Sequence, residues 1–221
     1  MFTRTDWDRY YTSVPFTARL TRRYSTRVLL DAIKRHALPS ARDGSLSIVE
    51  IGGANSCFMD AIISAVRCHS YHVVDTNSYG LSLLEKRIGN SQLVRLHQRS
   101  VLDSSLDVQA DLVFSVGLVE HFNPTETHQA VLAHFDMLRS NGVARIAFPT
   151  PTLLYRGVRT LIETVGMWKF PDERPLQPSE VLATVQQRGA ILERKTMWPL
   201  LLTQHLIVAR QRNGQVPCVE V

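Results

Sequence analysis

Short runs of branched apolar residues alternate with amphipathic segments along the first two thirds of the chain. Five runs predict β-strands, namely SIVEI (47–51), YHVVD (71–75), LVRLH (93–97), ADLVFSV (110–116) and VARIAFP (143–149). The segments before and between them repeat apolar residues at helical spacing, and the predicted helices are 25–38, 60–66, 78–89 and 123–142. This alternation is typical of a parallel sheet with helices on both faces.

The helix before the fifth strand has the clearest boundary signals. Asn123 can cap it, Pro124 suits its first turn, and Glu126 completes a capping box. The pair Asn141-Gly142 predicts where this helix ends.

The last third of the chain follows another pattern. An insertion rich in aromatic residues, arginine and proline occupies 150–176 and precedes a predicted helix at 179–189. Two β-like runs, 190–196 and 203–212, are joined by a tight return that implies antiparallel pairing. We therefore expect one α/β domain over residues 1–221, a three-layer sandwich whose mostly parallel seven-stranded sheet ends in an antiparallel hairpin.

The composition, with 44% hydrophobic and 20% charged residues, is that of an ordinary globular protein. No apolar run approaches the ~20 residues of a membrane span, and the charged, aromatic start MFTRTDWDRYY lacks a signal core. Cys57, Cys68 and Cys218 form neither a Cys-x-x-Cys pair nor an even set. We expect a reducing, cytoplasmic location and no metal site.

The formal charge is +5, and several of the arginines lie in TARLTRRYSTR (17–27). A solvated basic face explains this charge, as does an acidic ligand such as a phosphorylated sugar, a lipid head group met by peripheral membrane contact, or nucleic acid. The charge alone does not choose among them.

The turn after the first predicted strand reads Glu50-x-Gly52-x-Ala54-x-Ser56. Its small residues allow a ligand to approach the backbone. The spacing differs from the six-residue glycine fingerprint of dinucleotide folds, because position 57 is Cys57, and no Gly-Lys-Ser/Thr closes a phosphate loop. In open α/β sheets ligands bind beyond the carboxyl ends of the strands, so this turn is a candidate site.

Asp75 ends the second predicted strand, 25 residues after Glu50. A carboxylate there can accept hydrogen bonds from two ribose hydroxyls through its paired oxygens. A helix cap shared with Thr76 and Asn77 is the alternative interpretation of the same residue.

Taken together, Glu50-x-Gly52-x-Ala54, Asp75, ADLVFSVGLVEHF and VARIAFP resemble the class I S-adenosylmethionine-dependent methyltransferases over residues 25–210. The resemblance implies a seven-stranded sheet with S-adenosylmethionine lying across strands one, two and four. The residues it implies for this cofactor are Glu50, Gly52 and Gly53 at the turn, Asp75 and Thr76 at the ribose, Ser100 and Val101 at the adenine, and Ser115 and Val116 near the methionine sulfur.

His121, just past the fourth strand, is the candidate catalytic base, because an imidazole titrates near neutrality. The alternative is that it lines the pocket or anchors the start of the next helix. The acceptor site is expected between an N-terminal lid, 1–24, and the insertion at 150–176. The predicted acceptor-binding residues are Tyr11, Tyr155 and Arg156.

The predicted function is methyl transfer to a small-molecule or glycan/glycolipid acceptor, with O-, N- and C-methylation all open. A nicotinamide-dependent oxidoreductase is disfavoured by the turn. A nucleic-acid methyltransferase is disfavoured because no Asn/Asp-Pro-Pro-aromatic tetrapeptide follows strand four and Pro217-Cys218 lies in the tail. A non-catalytic cofactor-binding scaffold or partner subunit remains a third hypothesis, and the oligomeric state is open.

Overall fold

The computed structural model describes residues 4–13, 16–103, 106–198 and 203–212, without the side chains of residues 16–19 and Arg42. The strands are β1 Leu46–Ile51, β2 Cys68–Asp75, β3 Val94–Gln98, β4 Ala110–Val116, β5 Leu138–Pro149, β6 Gly189–Met197 and β7 Gln204–Gln211. The helices are α1 Trp7–Thr12, α2 Phe16–Ala32, α3 Met59–Ala65, α4 Ser78–Ile88, α5 Pro124–Asp136, α6 Leu153–Thr164 and α7 Pro178–Arg188. Pro217 and Cys218 lie outside the described residues.

The seven strands form one sheet in the order β3-β2-β1-β4-β5-β7-β6. Strands β1 to β5 pair in parallel, while β7 lies antiparallel to both β5 and β6. The predicted fold class is therefore confirmed, including the closing hairpin. The strand order reverses between β1 and β4, so their carboxyl ends open a crevice where ligands bind in folds of this type.

Apolar side chains fill both faces of the sheet, as a parallel sheet requires. In β1 the neighbours Ile48 and Val49 are fully buried in opposite layers, since successive strand residues point to opposite faces. Leu29 of α2 packs in the first layer and Phe135 of α5 in the second. Packing on both faces holds the central strands in place, and this fixes the position of the turns at their carboxyl ends.

The predicted end of the helix before β5 was wrong. Helix α5 begins with the predicted capping box but ends at Asp136, and β5 already starts at Leu138. Asn141 has φ 65° inside the strand, where the register against β4 slips between Ala110 and Leu112. The Asn-Gly pair thus makes an irregularity in a strand rather than a helix stop.

The N-terminal segment divides differently from the predicted lid. Helix α2 runs through residue 24 and packs Leu29 into the core, so α1 is the separate element at this end. No helix among the described residues is long and apolar enough to cross a membrane.

Candidate cofactor and acceptor site

The turn after β1 leaves no room for side chains at its two glycines. Gly52 has φ +76°, a left-handed value, and a Cβ on it would lie 2.9 Å from Cδ1 of Leu118. A Cβ on Gly53 would lie 2.6 Å from the Glu50 carboxyl carbon. The amide of Gly52 donates to the Val74 carbonyl at 2.9 Å, which ties the turn to β2. The backbone is therefore held close to whatever occupies the crevice.

Glu50 lies buried beneath this turn. The hydroxyl of Tyr71 donates to its Oε2 at 2.7 Å. Burial raises the pKa of Glu50 to about 7, although hydrogen bonds from Ser56 and Tyr71 oppose the rise. The oxygen of Ser56 also accepts from the amides that open α3, at 3.1 and 3.0 Å. Glu50 and Ser56 thus support the turn from below.

Asp75 joins the turns that follow β1 and β2. Its Oδ2 accepts the Ala54 amide at 2.9 Å and its Oδ1 accepts the Asn77 amide at 2.8 Å. Burial raises its pKa, against hydrogen bonds from the backbone amides of Asn77, Ala54 and Thr76. Each carboxylate oxygen has a second lone pair. The structural interpretation of Asp75 and the ribose interpretation are therefore compatible.

The segment after β3 is organised by its own side chains. Asp103 accepts the Ser100 amide at 2.9 Å, and Ser100 Oγ accepts the Leu102 amide at 3.1 Å. Val101 is buried in the layer on the α5 side of the sheet. The predicted adenine-side residues thus lie in a fixed turn at the same edge of the sheet as Asp75.

At the end of β4 the side chain of Ser115 is engaged elsewhere. Nδ1 of His134 lies 2.7 Å from the Ala130 carbonyl, so this nitrogen carries the proton, and Ser115 donates to Nε2 at 2.9 Å. Burial lowers the pKa of His134 to about 4, which keeps the ring neutral. Ser115 therefore offers its backbone, and not its hydroxyl, to a ligand in the crevice. Val116 is half-buried and packs on the other face of the sheet, in the layer that contains Leu29.

His121 lies in a short 3₁₀ turn after β4 and pairs with the insertion. Its Nδ1 is 3.2 Å from Oδ1 of Asp172, which also accepts the Thr5 hydroxyl. The rings of Trp7 and Phe170 lie 5.2 and 6.2 Å from the imidazole. Burial lowers the pKa of His121, and the Asp172 carboxylate opposes this shift.

Helix α1 covers the carboxyl edge near Asp75. Asp8 accepts from the Asn77 side chain at 2.7 Å. Cε2 of Tyr11 lies 2.8 Å from where a Cβ on Gly80 would be, and burial together with the Asp75 carboxylate raises the pKa of Tyr11. Tyr11, predicted at the acceptor, therefore lies beside the predicted ribose position.

The other two predicted acceptor residues share a cavity of about 530 Å³ on α6. Arg156 lines it from an exposed position, and Tyr155, which is buried, contributes part of its wall. The Tyr155 hydroxyl donates to Glu173. Arg159 lines the same cavity and donates to the Glu173 carbonyl at 2.9 Å.

No protein-family model and no curated protein sequence matches the chain. Solved structures do match. The N-methyltransferase NodS from Bradyrhizobium japonicum WM9, in complex with S-adenosyl-L-homocysteine, has a TM-score of 0.63 at 16% identity, over 85% of this chain and 87% of that one. Magnesium protoporphyrin IX methyltransferase from Synechocystis PCC 6803, with bound S-adenosylhomocysteine (SAH), has a TM-score of 0.69 at 12% identity, over 93% of both chains.

A third match is 1,6-didemethyltoxoflavin-N1-methyltransferase from Burkholderia thailandensis, with TM-score 0.64, 13% identity and coverage of 87% and 79%. The chain has the fold of the S-adenosylmethionine-dependent methyltransferases. The fold that the sequence resemblance implied is thereby confirmed.

Within this methyltransferase fold, three acidic residues near His121 were not predicted from the sequence. Glu120 is only 2% exposed, and its Oε2 has no hydrogen-bond partner in the part of the chain that the structure describes; Glu173 and Asp172 lie near it. Burial and these two neighbours raise the pKa of Glu120 well above its usual range, and burial raises the pKa of Glu173 to about 7.

Glu120, His121 and Glu173 each place one ligand atom within 4.8 Å of the others. Such a set can hold a cation, either a metal ion or an organic ammonium group. We call Glu120, Asp172 and Glu173 the acidic cluster. The sequence signal was the charged run after Phe170 in the insertion, but its proximity to the end of β4 depends on tertiary structure.

Proposed function

We propose that the protein transfers a methyl group from S-adenosylmethionine to a small-molecule acceptor at the carboxyl edge of β1, β2 and β4. One observation carries the proposal. The turn at Gly52 is held in a conformation that excludes a side chain, while the neighbouring Asp75 carboxylate can accept further hydrogen bonds beyond those from the backbone amides. A backbone turn beside a paired acceptor suits a ligand with a ribose and an extended amino-acid tail.

The described residues fit this cofactor. Asp75 would accept hydrogen bonds from the ribose hydroxyls, and Gly52 and Gly53 would allow the methionine part to lie against the backbone. Thr76, Ser100 and Val101 remain the proposed neighbours of the nucleoside, and the backbone of Ser115 and Val116 that of the sulfur end. When bound, S-adenosylmethionine supplies an electrophilic methyl group on a sulfonium.

His121 is the proposed base for an acceptor that must lose a proton. Because Asp172 lies next to Nδ1, we assign the ring proton to that nitrogen and the lone pair to Nε2. The hydrogen bond also fixes the orientation of the ring, as a carboxylate does for many functional histidines. Tyr155 and Arg156, in the cavity on α6, are proposed to contact the rest of the acceptor, and Tyr11 to close over the cofactor.

A glycan or glycolipid acceptor and peripheral membrane contact are proposed from the positive charge of the chain, and a cytoplasmic location from its cysteines. A non-catalytic scaffold would bind the cofactor at the same site but would not transfer its methyl group.

Titration calorimetry with SAH and, separately, with NADH tests the proposed cofactor. We expect saturable binding of SAH at one site per chain and no heat from NADH. Binding of NADH without SAH would replace the methyltransferase proposal with that of an oxidoreductase.

A further inference from the structure

When fully ionised, the acidic cluster would carry more negative charge than its described partners balance. Asp172 accepts from Thr5 and His121, and Glu173 accepts from Tyr155. Among the described residues, the one lysine or arginine paired with the cluster is an arginine on α6, Arg159. Its Nη1 lies 3.8 Å from Oε1 of Glu173, and its Nε lies 2.7 Å from Glu163. If all three groups were ionised, they would share at most part of one positive charge, and this agrees with the raised pKa of Glu120 and Glu173.

Glu120 is the member that points to a missing ligand. It is almost fully buried, and its Oε2 accepts no hydrogen bond among the described residues. An unpaired buried acceptor destabilises the folded protein, and a charged one does so more strongly. A positively charged donor would both pair with this oxygen and balance the negative charge of the cluster.

Aromatic rings pack beside His121, which contacts the acidic cluster. Trp7 lies 5.2 Å from His121 and 5.8 Å from Phe170, and Trp168 lies 6.0 Å from Phe170. Aromatic faces attract cations, and ammonium groups in proteins are commonly bound by rings and carboxylates together. The carboxylates of the acidic cluster would repel an anionic alkoxide or phosphate group.

The cluster lies beside the proposed point of methyl transfer. Glu120 Oε1 is 3.4 Å from where a Cβ on Gly117, the residue after β4, would be. The next residue, Leu118, packs against Gly52 at the turn. The acidic cluster and the turn proposed to hold the methionine part are thus connected through two contacts and the peptide bond between Gly117 and Leu118.

We propose that the acceptor is an amine that enters as an ammonium ion and is held by the acidic cluster. This inference rests on the proposed function and specifies its substrate class. The ammonium group donates hydrogen bonds to Glu120 Oε2 and Glu173, and the aromatic rings cover its hydrocarbon part. Neither contact requires the rest of the acceptor to be known.

The chemistry balances with the residues present. The ammonium group loses one proton to Nε2 of His121 and becomes a neutral amine with a lone pair. That lone pair attacks the methyl carbon, so a C–N bond forms while the C–S bond breaks and its electrons return to sulfur. The product is an N-methylated ammonium ion, which keeps its charge, and His121 releases its proton to solvent.

The test uses labelled S-adenosylmethionine, the full chain and a small-molecule cell extract. The labelled product is passed over a cation exchanger at low pH, where amines are charged and carboxylic acids are neutral. We expect the label to be retained and not to be released as methanol by alkali. Label in a neutral or acidic product, or alkali-labile label, would overturn the amine assignment.

Charge-removing variants identify the site. Glu120→Gln and Glu173→Gln should each raise KM for the labelled acceptor about 10- to 100-fold, as expected for hydrogen bonds to a charged group, with SAH affinity unchanged. Glu193→Gln is the matched control and should leave KM within about twofold. It removes a carboxylate on the edge strand β6 that pairs with Arg35 at 3.1 Å and lies 2.8 Å from Nε2 of His36. Thermal melting shows that each variant is folded. Unchanged KM in both folded cluster variants would contradict the proposal.

Two further outcomes separate this inference from other accounts. Loss of transfer in a chelator, with recovery on adding Mn²⁺ or Zn²⁺, would assign the cluster to a metal ion and overturn the ammonium assignment. Absence of any labelled product, while SAH still binds, would contradict the proposed function and the amine acceptor with it.

Discussion

Nδ1 of His121 lies 3.2 Å from Oδ1 of Asp172, a residue 51 positions further along the chain. The contact joins the end of β4 to the insertion that follows β5. It also links the candidate base to the N-terminal segment, because the same carboxylate oxygen accepts the Thr5 hydroxyl. The position of the His121 ring therefore depends on both the insertion and the N-terminal segment.

The pH dependence of turnover tests His121 as the base. Burial lowers its pKa, so the wild-type rate should rise with pH through a value below the ordinary 6.5, because only the neutral ring accepts a proton. His121→Ala should reduce turnover roughly 10²- to 10⁴-fold, abolish this limb and leave SAH affinity nearly intact. A variant that keeps the wild-type limb would mean that His121 only lines the pocket.

Asp172→Asn tests the positioning of that ring. The carboxylate raises the pKa of His121 against the effect of burial, so removing its charge should move the rising limb to lower pH. Turnover at saturating acceptor should fall because the tautomer is less well defined. A full pH profile of kcat measures both effects, and an unshifted limb would contradict the proposed pairing.

Asp75→Ala should weaken SAH binding by about one to two orders of magnitude, because two ribose hydroxyls lose charged acceptors, at ~1–3 kcal/mol. The variant should also melt at a lower temperature, since the Ala54 and Asn77 amides lose their acceptor. Calorimetry on the folded variant decides. Affinity within twofold of wild type would mean that the cofactor lies elsewhere.

Gly52→Ala and Gly89→Ala form a matched pair. Both glycines have positive φ, so each substitution should cost on the order of 1 kcal/mol of folding stability through backbone strain. A Cβ on Gly89 meets no atom within 4 Å, whereas one on Gly52 enters the crevice near Leu118. Gly52→Ala alone should lose SAH affinity, and the bulkier Gly52→Val should abolish it. Equal SAH affinity in the two alanine variants would mean that the turn is not part of the cofactor site.

Glu50 predicts a pH dependence of stability. Its pKa is raised to about 7 in the folded state, so the folded protein binds the proton more tightly than the unfolded chain. Its contribution to the free energy of unfolding is therefore complete below about pH 4.5 and is lost as the pH rises to about 7. Glu50→Gln should lessen this loss, by an amount of order 1–3 kcal/mol. The measurement is the free energy of unfolding of both proteins in denaturant at pH 4.5 and pH 8. The same change between the two pH values in both proteins would contradict a raised pKa of Glu50.

The strands and helices could be predicted because each strand carries its own apolar signal and each helix its own spacing, and the tight return between the last two runs predicted their antiparallel pairing. The capping box of α5 was equally local, and it was confirmed. The end of that helix was not, because Asn141 and Gly142 favour positive φ in helix caps and in strand irregularities alike. Local signals fix a conformation at a residue without fixing the element around it.

The site was predictable where it depends on strand ends and not where it depends on packing. Glu50, Gly52 and Asp75 lie on adjacent strand ends, so the sheet brings them together. Strand β4 is buried on both faces, which gives no signal for the direction of the Ser115 side chain. The acidic cluster arises from a contact between residues more than 50 positions apart, which no spacing rule reports.

The decisive experiment is transfer of a labelled methyl group from S-adenosylmethionine into a small-molecule extract. The wild-type protein should transfer the label, and SAH should inhibit it. Transfer by Asp75→Ala should be weaker at limiting cofactor and should recover as the cofactor concentration rises. A wild-type protein that binds SAH but moves no label under any of these conditions would contradict methyl transfer and leave a cofactor-binding scaffold.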